Sequence, residues 1–174
     1  MSSRPASPRR LIDADVHNAF ADIRAELRPF LARRWQAYAD THGIAVPSAG
    51  YLSPVGVQRE DARTPFGGMA GSDPDFLISD HLDRYGIDIA VLTGSHVLGL
   101  SVHPDPDWGN AIASAYNQNL AHRWLTRSPR FRGSIVVNHS DPAAAAREIH
   151  RWAPDKRFVQ VLMASGSSRL LGQR

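Results

Sequence analysis

Two carboxylates and an imidazole stand at alternate positions near the start of the sequence. They are Asp13, Asp15 and His17, in the segment RLIDADVHNAF over residues 10–20. Alternate side chains of a β-strand point to the same face, so a strand here would group these three and place on the opposite face the apolar residues Ile12, Ala14 and Val16. Crowded carboxylates are costly inside a protein unless a cation offsets their charge. The spacing predicts a divalent-metal site or, alternatively, a strand end whose polar groups contact only loop backbone.

The composition limits both the fold and the ligands. The chain has 174 residues, of which 43% are hydrophobic and 21% charged, as in one soluble globular domain with a sizeable core. It contains no cysteine, which excludes disulfides and thiolate ligands and fits a reducing cytoplasm. A bound metal would therefore use oxygen and nitrogen ligands.

Membrane and nucleic-acid partners are not expected. Residues 1–10, MSSRPASPRR, are basic and rich in Pro and Ser without a following apolar segment, which predicts a disordered tail and not a secretory signal. No apolar stretch approaches the roughly 18 to 20 residues that span a bilayer. The formal net charge is +3, from 20 basic and 17 acidic residues, and no nucleic-acid recognition motif accompanies it.

Strand and helix patterns alternate along the chain. After the first strand, residues 20–43 have helical spacing, with Pro29 expected to kink or divide the helix. A loop insertion follows at about 44–72, of a length typical of lids or binding loops. The remaining predictions are a helix over 72–86 capped by Ser72 or Asp73, a buried strand over 87–93, a helix from 107, a strand over 133–138, a helix capped by Ser140 or Asp141, and a strand over 157–163.

The third long helix carries an aromatic and aliphatic stripe at intervals of four residues. Its members are Trp108, Ile112, Tyr116, Leu120 and Trp124. The stripe could form a stacking platform for bases or aromatic substrates, but regular helical spacing favours packing against a sheet.

Alternating strands and helices predict right-handed βαβ units and a parallel sheet, the α/β class.

Five segments carry a resemblance to a known family. In order and spacing, LIDADVHN, LDRYGIDIAVLTG, NAIASAYNQNLAHRW, RFRGSIVVNHSDPAAAAREIHRW and FVQVLM resemble the N-terminal half of amidohydrolase-related proteins. This branch includes aminocarboxymuconate semialdehyde decarboxylase and related metal-dependent hydrolases. The resemblance implies that residues 11–174 form the N-terminal half of a (β/α)8 TIM barrel, with about four parallel strands. A complete barrel needs about 250 residues, and four strands cannot close one.

The same resemblance identifies two metal ligands. In the family, the first strand supplies a pair of ligands as His-x-His, and the matching pair here is Asp15-x-His17. It implies that Asp15 and His17 bind a divalent metal, Zn²⁺ or Mn²⁺. Asp13 lies earlier on the strand and would orient the ligands or pack the barrel interior. The remaining ligands and a catalytic Asp come, in the family, from the second half of the barrel, so no catalytic residue is assigned here.

Three histidines fall in loops after the predicted strands. His96 and His103 follow the second strand and His139 follows the third, where the loops of a barrel form its active site. Local hydrogen bonding is the commoner role of a loop histidine, and His139 is the best candidate for substrate binding because it ends a strand. The other histidines are interpreted as helix-surface or helix-end residues: His42, His81, His122 and His150.

Two functions of different classes remain open. The resemblance implies a metal-dependent hydrolase of the amidohydrolase superfamily acting on a small organic substrate, by C–N or ester hydrolysis or by nonoxidative decarboxylation. The alternative is a truncated, noncatalytic fragment or interaction module that lacks the ligands of the second half. The enzyme would need a complementing chain or another subunit to supply the missing ligands. The fragment would expose an open sheet edge and apolar inner faces, so we expect it to self-associate or aggregate.

Overall fold

The computed structural model describes residues 9–47 and 60–167. The predicted disordered tail over residues 1–10 therefore lies almost entirely outside the described residues. So do residues 48–59, the middle of the predicted loop insertion. None of the helices within the described ranges is long and apolar enough to cross a membrane.

Four strands and five α-helices position the candidate site. The strands are β1 (Ile12–Val16), β2 (Ile89–Leu92), β3 (Phe131–Val136) and β4 (Phe158–Leu162). The helices are α1 (Ile23–Leu27), α2 (Arg33–His42), α3 (Pro74–Leu77), α4 (Pro106–Asn119) and α5 (Pro142–Trp152). Helix α3 continues as a π-helical turn over Ile78–Asp83, and α4 as another over Leu120–Trp124. Short 3₁₀ turns cover Arg28–Phe30, Glu60–Ala62 and Leu100–Val102.

The strands form one parallel sheet in the order β1-β2-β3-β4. This confirms the predicted α/β class and the arrangement of a partial (β/α)8 barrel. Strand β3 was expected over 133–138 but begins at Phe131, because Phe131 pairs with Ala90 and brings the start of β3 into register with β2. In a parallel sheet all strands end at the same edge, so the segments after β1, β2 and β3 lie on one side of the molecule.

Aspartates begin four of the helices. Asp22, Asp73, Asp105 and Asp141 each accept hydrogen bonds from backbone N–H groups in the first turn of α1, α3, α4 and α5. A carboxylate at this position satisfies amides that lack a partner within the helix and complements the helix dipole. The sequence predicted Ser72 or Asp73 as the cap of α3 and Ser140 or Asp141 as the cap of α5. In the structure the caps are Asp73 and Asp141. The division at Pro29 is confirmed, because the 3₁₀ turn that contains it separates α1 from α2.

The stripe on α4 is the centre of the core. Its five side chains are each at most 2% exposed: Trp108, Ile112, Tyr116, Leu120 and Trp124. Trp108 contacts Trp35 of α2 at a ring-centroid distance of 5.1 Å, and Trp124 contacts Phe131 of β3 at 6.0 Å. The stripe therefore packs the helices against the sheet, as its spacing predicted, and is not an exposed stacking platform.

Strand β1 departs from the predicted burial pattern. Val16 is buried, but Ile12 is 54% exposed and Ala14 is also exposed. The face predicted to carry the apolar residues is therefore not buried at these two positions. The physical reason is that β1 is an outer strand of the sheet, with only β2 beside it among the described residues.

One buried amide joins α4 to the sheet. Asn117 is fully buried, and its side chain accepts from the Val136 N–H at 2.9 Å and donates to the Val136 carbonyl at 2.9 Å. It also donates to Glu148 of α5 at 3.0 Å. A side chain that satisfies both backbone groups of a strand residue fixes the helix relative to the end of that strand.

We predict that Asn117→Ala lowers the free energy of unfolding by about 3 kcal/mol, because it leaves two buried backbone groups without partners. The matched control is Asn110→Ala on the same helix, α4. It removes a half-buried hydrogen bond to Asp141, which caps α5, and should cost about 1 kcal/mol or less. Urea unfolding followed by circular dichroism measures both. Equal losses in the two variants would contradict this account.

Candidate metal centre and cavity

A bulge in β1 sets the direction of the candidate ligands. Asp13 pairs with Ala90 and Val16 with Leu92, so three steps along β1 match two along β2. The extra residue interrupts the regular alternation of side chains, as bulges near functional sites commonly do. The amide of Asp15 lies within the bulge and donates to Oδ1 of Asp13 at 3.2 Å.

Asp15 and His17 lie together at the end of β1. Nε2 of His17 is 3.2 Å from Oδ1 of Asp15, and the side chains are 49% and 74% exposed. Thr93, which follows β2, donates its hydroxyl to the same Asp15 oxygen at 2.9 Å. The structure thus brings the two predicted ligands into contact, and a neighbouring strand end orients the carboxylate.

Asp13 takes a different partner. Its Oδ2 atom is 2.9 Å from Nε2 of His81, which lies in the π-helical turn after α3. The side chains of Asp13 and His81 are 33% and 36% exposed. The interpretation of His81 as an ordinary helix-surface residue therefore misses its contact with the candidate site.

Both pairs line one cavity of about 380 Å³. Its polar wall contains Asp13, Asp15, His17, Asp80 and His81. Its apolar wall includes Val16, Phe76 and Leu77. The spacing of four between Phe76 and Asp80, and between Leu77 and His81, could have indicated a shared helix face. The sequence does not show that this face is directed at β1.

A compact loop covers the end of β1. In the segment from Thr64 to Ser72, the Thr64 amide donates to the Gly68 carbonyl and the Gly67 amide donates to the Thr64 carbonyl. The Gly71 carbonyl then accepts from the Ala19 amide at 2.8 Å. Gly71 has φ +74°, and a Cβ atom there would lie 2.4 Å from the His17 carbonyl oxygen. Glycine is therefore required for the loop to approach the ligand strand this closely.

Buried hydrogen bonds tie the ends of β1 and β2 together. The side-chain oxygen of Asn18 accepts from the Gly94 amide at 3.0 Å and from the Tyr116 hydroxyl at 3.0 Å. Burial raises the pKa of Tyr116, so the phenol stays protonated and donates this bond. The core helix α4 thus fixes the backbone that immediately follows His17.

The three loop histidines occupy separate environments. His103 contacts the backbone of Asp105 in its own loop through Nδ1, with a distance of 2.9 Å to the carbonyl. The Nδ1 atoms of His96 and His139 are buried without a hydrogen-bond partner among the described residues. Burial lowers the pKa of both groups, which favours neutral imidazoles. None of the three lines the cavity that contains Asp15 and His17.

The donors fit part of a metal centre. Two ligand atoms about 2.1 Å from one ion are about 3.0 Å apart at a right angle and about 3.4 Å apart at the tetrahedral angle. The 3.2 Å between Asp15 Oδ1 and His17 Nε2 lies between these values. Within residues 9–47 and 60–167, however, no group of three or more His, Asp or Glu side chains is arranged to hold a metal ion. The described residues therefore bring together a pair of candidate ligands and not a complete set.

We predict that Gly71→Ala destabilises the fold by about 3 kcal/mol, because left-handed strain adds to a clash with the His17 carbonyl. Gly67→Ala is the matched control: its φ is +79° but its Cβ would meet open space, so only strain of about 1 kcal/mol remains. Urea unfolding gives both values, and hydrogen exchange of the Ala19 amide should accelerate in Gly71→Ala alone. Equal behaviour of the two variants would contradict the proposed close contact.

We predict that His139 titrates below its ordinary pKa of 6.5, because burial disfavours the imidazolium. The unfolded chain then binds more protons than the folded chain, so stability falls as the pH drops below about 6.5. His139→Gln should reduce this loss between pH 7.5 and 5.5, in comparison with the unmodified chain. Histidine NMR titration and urea unfolding test this, and a His139 midpoint above 6.5 would disprove it.

Comparisons with known proteins support the fold. No family model and no curated relative matches the sequence. The structure of 5-carboxyvanillate decarboxylase from Novosphingobium aromaticivorans, with bound manganese and 3-methoxy-4-hydroxy-5-nitrobenzoic acid, matches with a TM-score of 0.60 and 24% identity over 92% of this chain and 43% of that protein. The complex of 2,6-dihydroxybenzoate decarboxylase with 2,6-dihydroxybenzoate matches with a TM-score of 0.54 and 19% identity over 95% of this chain and 42% of that protein. The chain spans less than half the length of each decarboxylase, and it has the fold of part of their barrels.

Proposed function

We propose that this chain contributes the first two ligands of a divalent-metal centre in an enzyme of the amidohydrolase-related type. The observation that supports this most directly is the convergence of Asp15 Oδ1 and His17 Nε2, 3.2 Å apart at the end of the first strand and beside a cavity. A hydrogen bond between the two side chains without metal is the alternative explanation of that contact. The position of the pair at the end of a parallel strand favours the metal, because barrels of this kind build their active sites there.

Manganese or zinc is the proposed metal. One carboxylate and one imidazole form a mixed oxygen and nitrogen donor set that suits either ion. The bound manganese in the 5-carboxyvanillate decarboxylase structure supports a divalent ion in this fold. A complete site needs one or two further protein ligands, which another segment or another chain would supply.

Nonoxidative decarboxylation is the proposed reaction, with hydrolysis of an amide or ester as the alternative. Both structures compared above are of decarboxylases, which favours the first. A bound divalent ion would supply electrostatic stabilisation to a carboxylate or carbonyl group of the substrate. In this chain, Thr93 would hold the Asp15 carboxylate in place, and the Gly71 carbonyl would hold the backbone that follows His17 through the Ala19 amide.

The cavity dimensions are compatible with a small organic substrate. Its volume of about 380 Å³ falls within the range of small-molecule sites. Phe76, Leu77 and Val16 provide an apolar wall opposite the carboxylates and imidazoles. We further propose that His139, which does not line this cavity, binds a more distant part of the substrate, because its half-buried, neutral imidazole follows β3 at the same edge of the sheet.

Exposed apolar side chains on both outer strands support a further chain as partner. Beside and in β1, Leu11 and Ile12 are 50% and 54% exposed. In and beside β4, Val159, Val161 and Met163 are 53%, 40% and 53% exposed. We propose that these edges mediate self-association or docking of a complementing chain. Cytoplasmic location remains a proposal that rests on the absence of cysteine.

We predict that the purified chain binds Mn²⁺ and that Asp15→Asn and His17→Gln each weaken binding at least tenfold, since each removes one of two ligands. Electron paramagnetic resonance measures the free Mn²⁺ remaining in a titration at pH 7.5. His103→Gln is the matched control, because His103 contacts its own loop, and it should bind as the unmodified chain does.

Release of CO₂ from 5-carboxyvanillate and 2,6-dihydroxybenzoate, with and without Mn²⁺, tests the reaction in the same preparations.

In the Mn²⁺ titration, unchanged metal binding in Asp15→Asn and His17→Gln would show that these two residues are not the ligands. Binding that is lost equally in His103→Gln would show that the effect does not depend on this pair.

A further inference from the structure

A chain of contacts leads from helix α3 to the candidate ligand Asp15. We propose that His81 is a positioning residue for the metal-binding pair and that it acts through Asp13. This inference rests on the proposed function, because it concerns the same metal-binding pair. It goes further by assigning a role to a helix residue outside the ligand strand.

The first contact joins His81 to Asp13. The atoms are Nε2 of the imidazole and Oδ2 of the carboxylate, 2.9 Å apart. An ionised carboxylate can only accept, so the proton of this hydrogen bond is on Nε2 of His81. Both side chains are about two-thirds buried, which strengthens a charge-assisted hydrogen bond relative to one on the open surface.

The second contact joins Asp13 to the backbone of Asp15. Oδ1 of Asp13 accepts from the Asp15 amide at 3.2 Å. The two oxygens of one carboxylate therefore bind in two directions, one to the helix and one to the bulge in β1. If the contact with His81 were absent, only the Asp15 amide would hold the Asp13 side chain, and the bulge would lose a fixed acceptor.

Helix α3 provides a firm base for this contact. Its first turn is capped by Asp73, and Leu82, next to His81, is fully buried. The Leu82 carbonyl accepts from the Ile87 amide at 2.8 Å, and Asp83 pairs with Arg130 just before β3. The position of His81 is thus set by the core and by the neighbouring strand connections, whereas β1 has only β2 beside it among the described strands.

These contacts, taken in order, connect His81 to the proposed metal-binding pair. His81 holds Asp13, Asp13 holds the Asp15 amide, and the Asp15 carboxylate lies 3.2 Å from His17. Removing the hydrogen bond from His81 should widen the range of orientations of Asp15 and weaken metal binding. Loss of a residue that orients a ligand typically costs tenfold to a hundredfold in metal affinity.

The test uses the whole 174-residue chain and Mn²⁺ alone as the probe. His81→Leu removes the donor, whereas His81→Gln keeps an N–H donor close to the position of Nε2. His150→Leu is the matched control at an exposed position of α5. Mn²⁺ titrations followed by electron paramagnetic resonance give the affinity, and the line shape at saturating metal reports the symmetry of the bound ion. Circular dichroism and urea unfolding establish that each variant is folded.

We expect about tenfold weaker Mn²⁺ binding and an altered line shape in His81→Leu, near-complete rescue in His81→Gln, and no change in His150→Leu.

If the unmodified chain binds Mn²⁺ and folded His81→Leu binds it equally with the same line shape, the role of His81 is disproved while the proposed metal site stands. A His81→Gln variant as weak as His81→Leu would also overturn the hydrogen-bond mechanism. If the unmodified chain binds no Mn²⁺, the proposed function itself fails. Should His81→Leu not fold, Asp13→Ala, which removes the link between His81 and the Asp15 amide, serves as the second variant, and normal binding there would contradict the inference.

Discussion

The candidate site depends on how the outer strand β1 is held. In the part of the chain that the structure describes, β1 has a neighbour on one side and so gains half the ladder hydrogen bonds of an inner strand, and a bulge interrupts even that ladder between Asp13 and Val16. Tertiary hydrogen bonds hold the strand instead: Thr93 holds the Asp15 carboxylate, Asn18 holds the turn after β2, and the Gly71 carbonyl holds the Ala19 amide. The geometry at Asp15 and His17 is therefore a product of tertiary contacts around β1 and not of the strand alone.

Those contacts originate in the core. Tyr116 belongs to the buried stripe of α4 and donates to Asn18, so packing of the helix against the sheet reaches the residue next to His17. Asn117, one position later, binds both backbone groups of Val136 and fixes the end of β3, three residues before His139. Adjacent residues of one helix thus set the ends of two strands. Stability and the arrangement of the candidate site depend on the same interactions.

Local patterns in the sequence predicted much of this fold. The interval of four in α4, the division at Pro29 and the aspartate caps act within a few residues, so they can be read without knowledge of distant contacts. The exposure of Ile12 could not be read in this way, because it depends on which strands flank β1. The bulge in β1 could not be predicted from the sequence either, because it arises from the register with β2. For the same reason Asp15 and His17 could be proposed from spacing and family resemblance, whereas the approach of His81 from a helix 68 positions away could not.

The central claim is that Asp15 and His17 are ligands of one divalent ion. The most direct measurement is a crystal structure of the chain grown with MnCl₂, with anomalous diffraction collected to locate manganese. The account predicts an anomalous peak about 2.2 Å from both Asp15 Oδ1 and His17 Nε2. Manganese bound only to other residues, with Asp15 and His17 still in contact with each other, would contradict it.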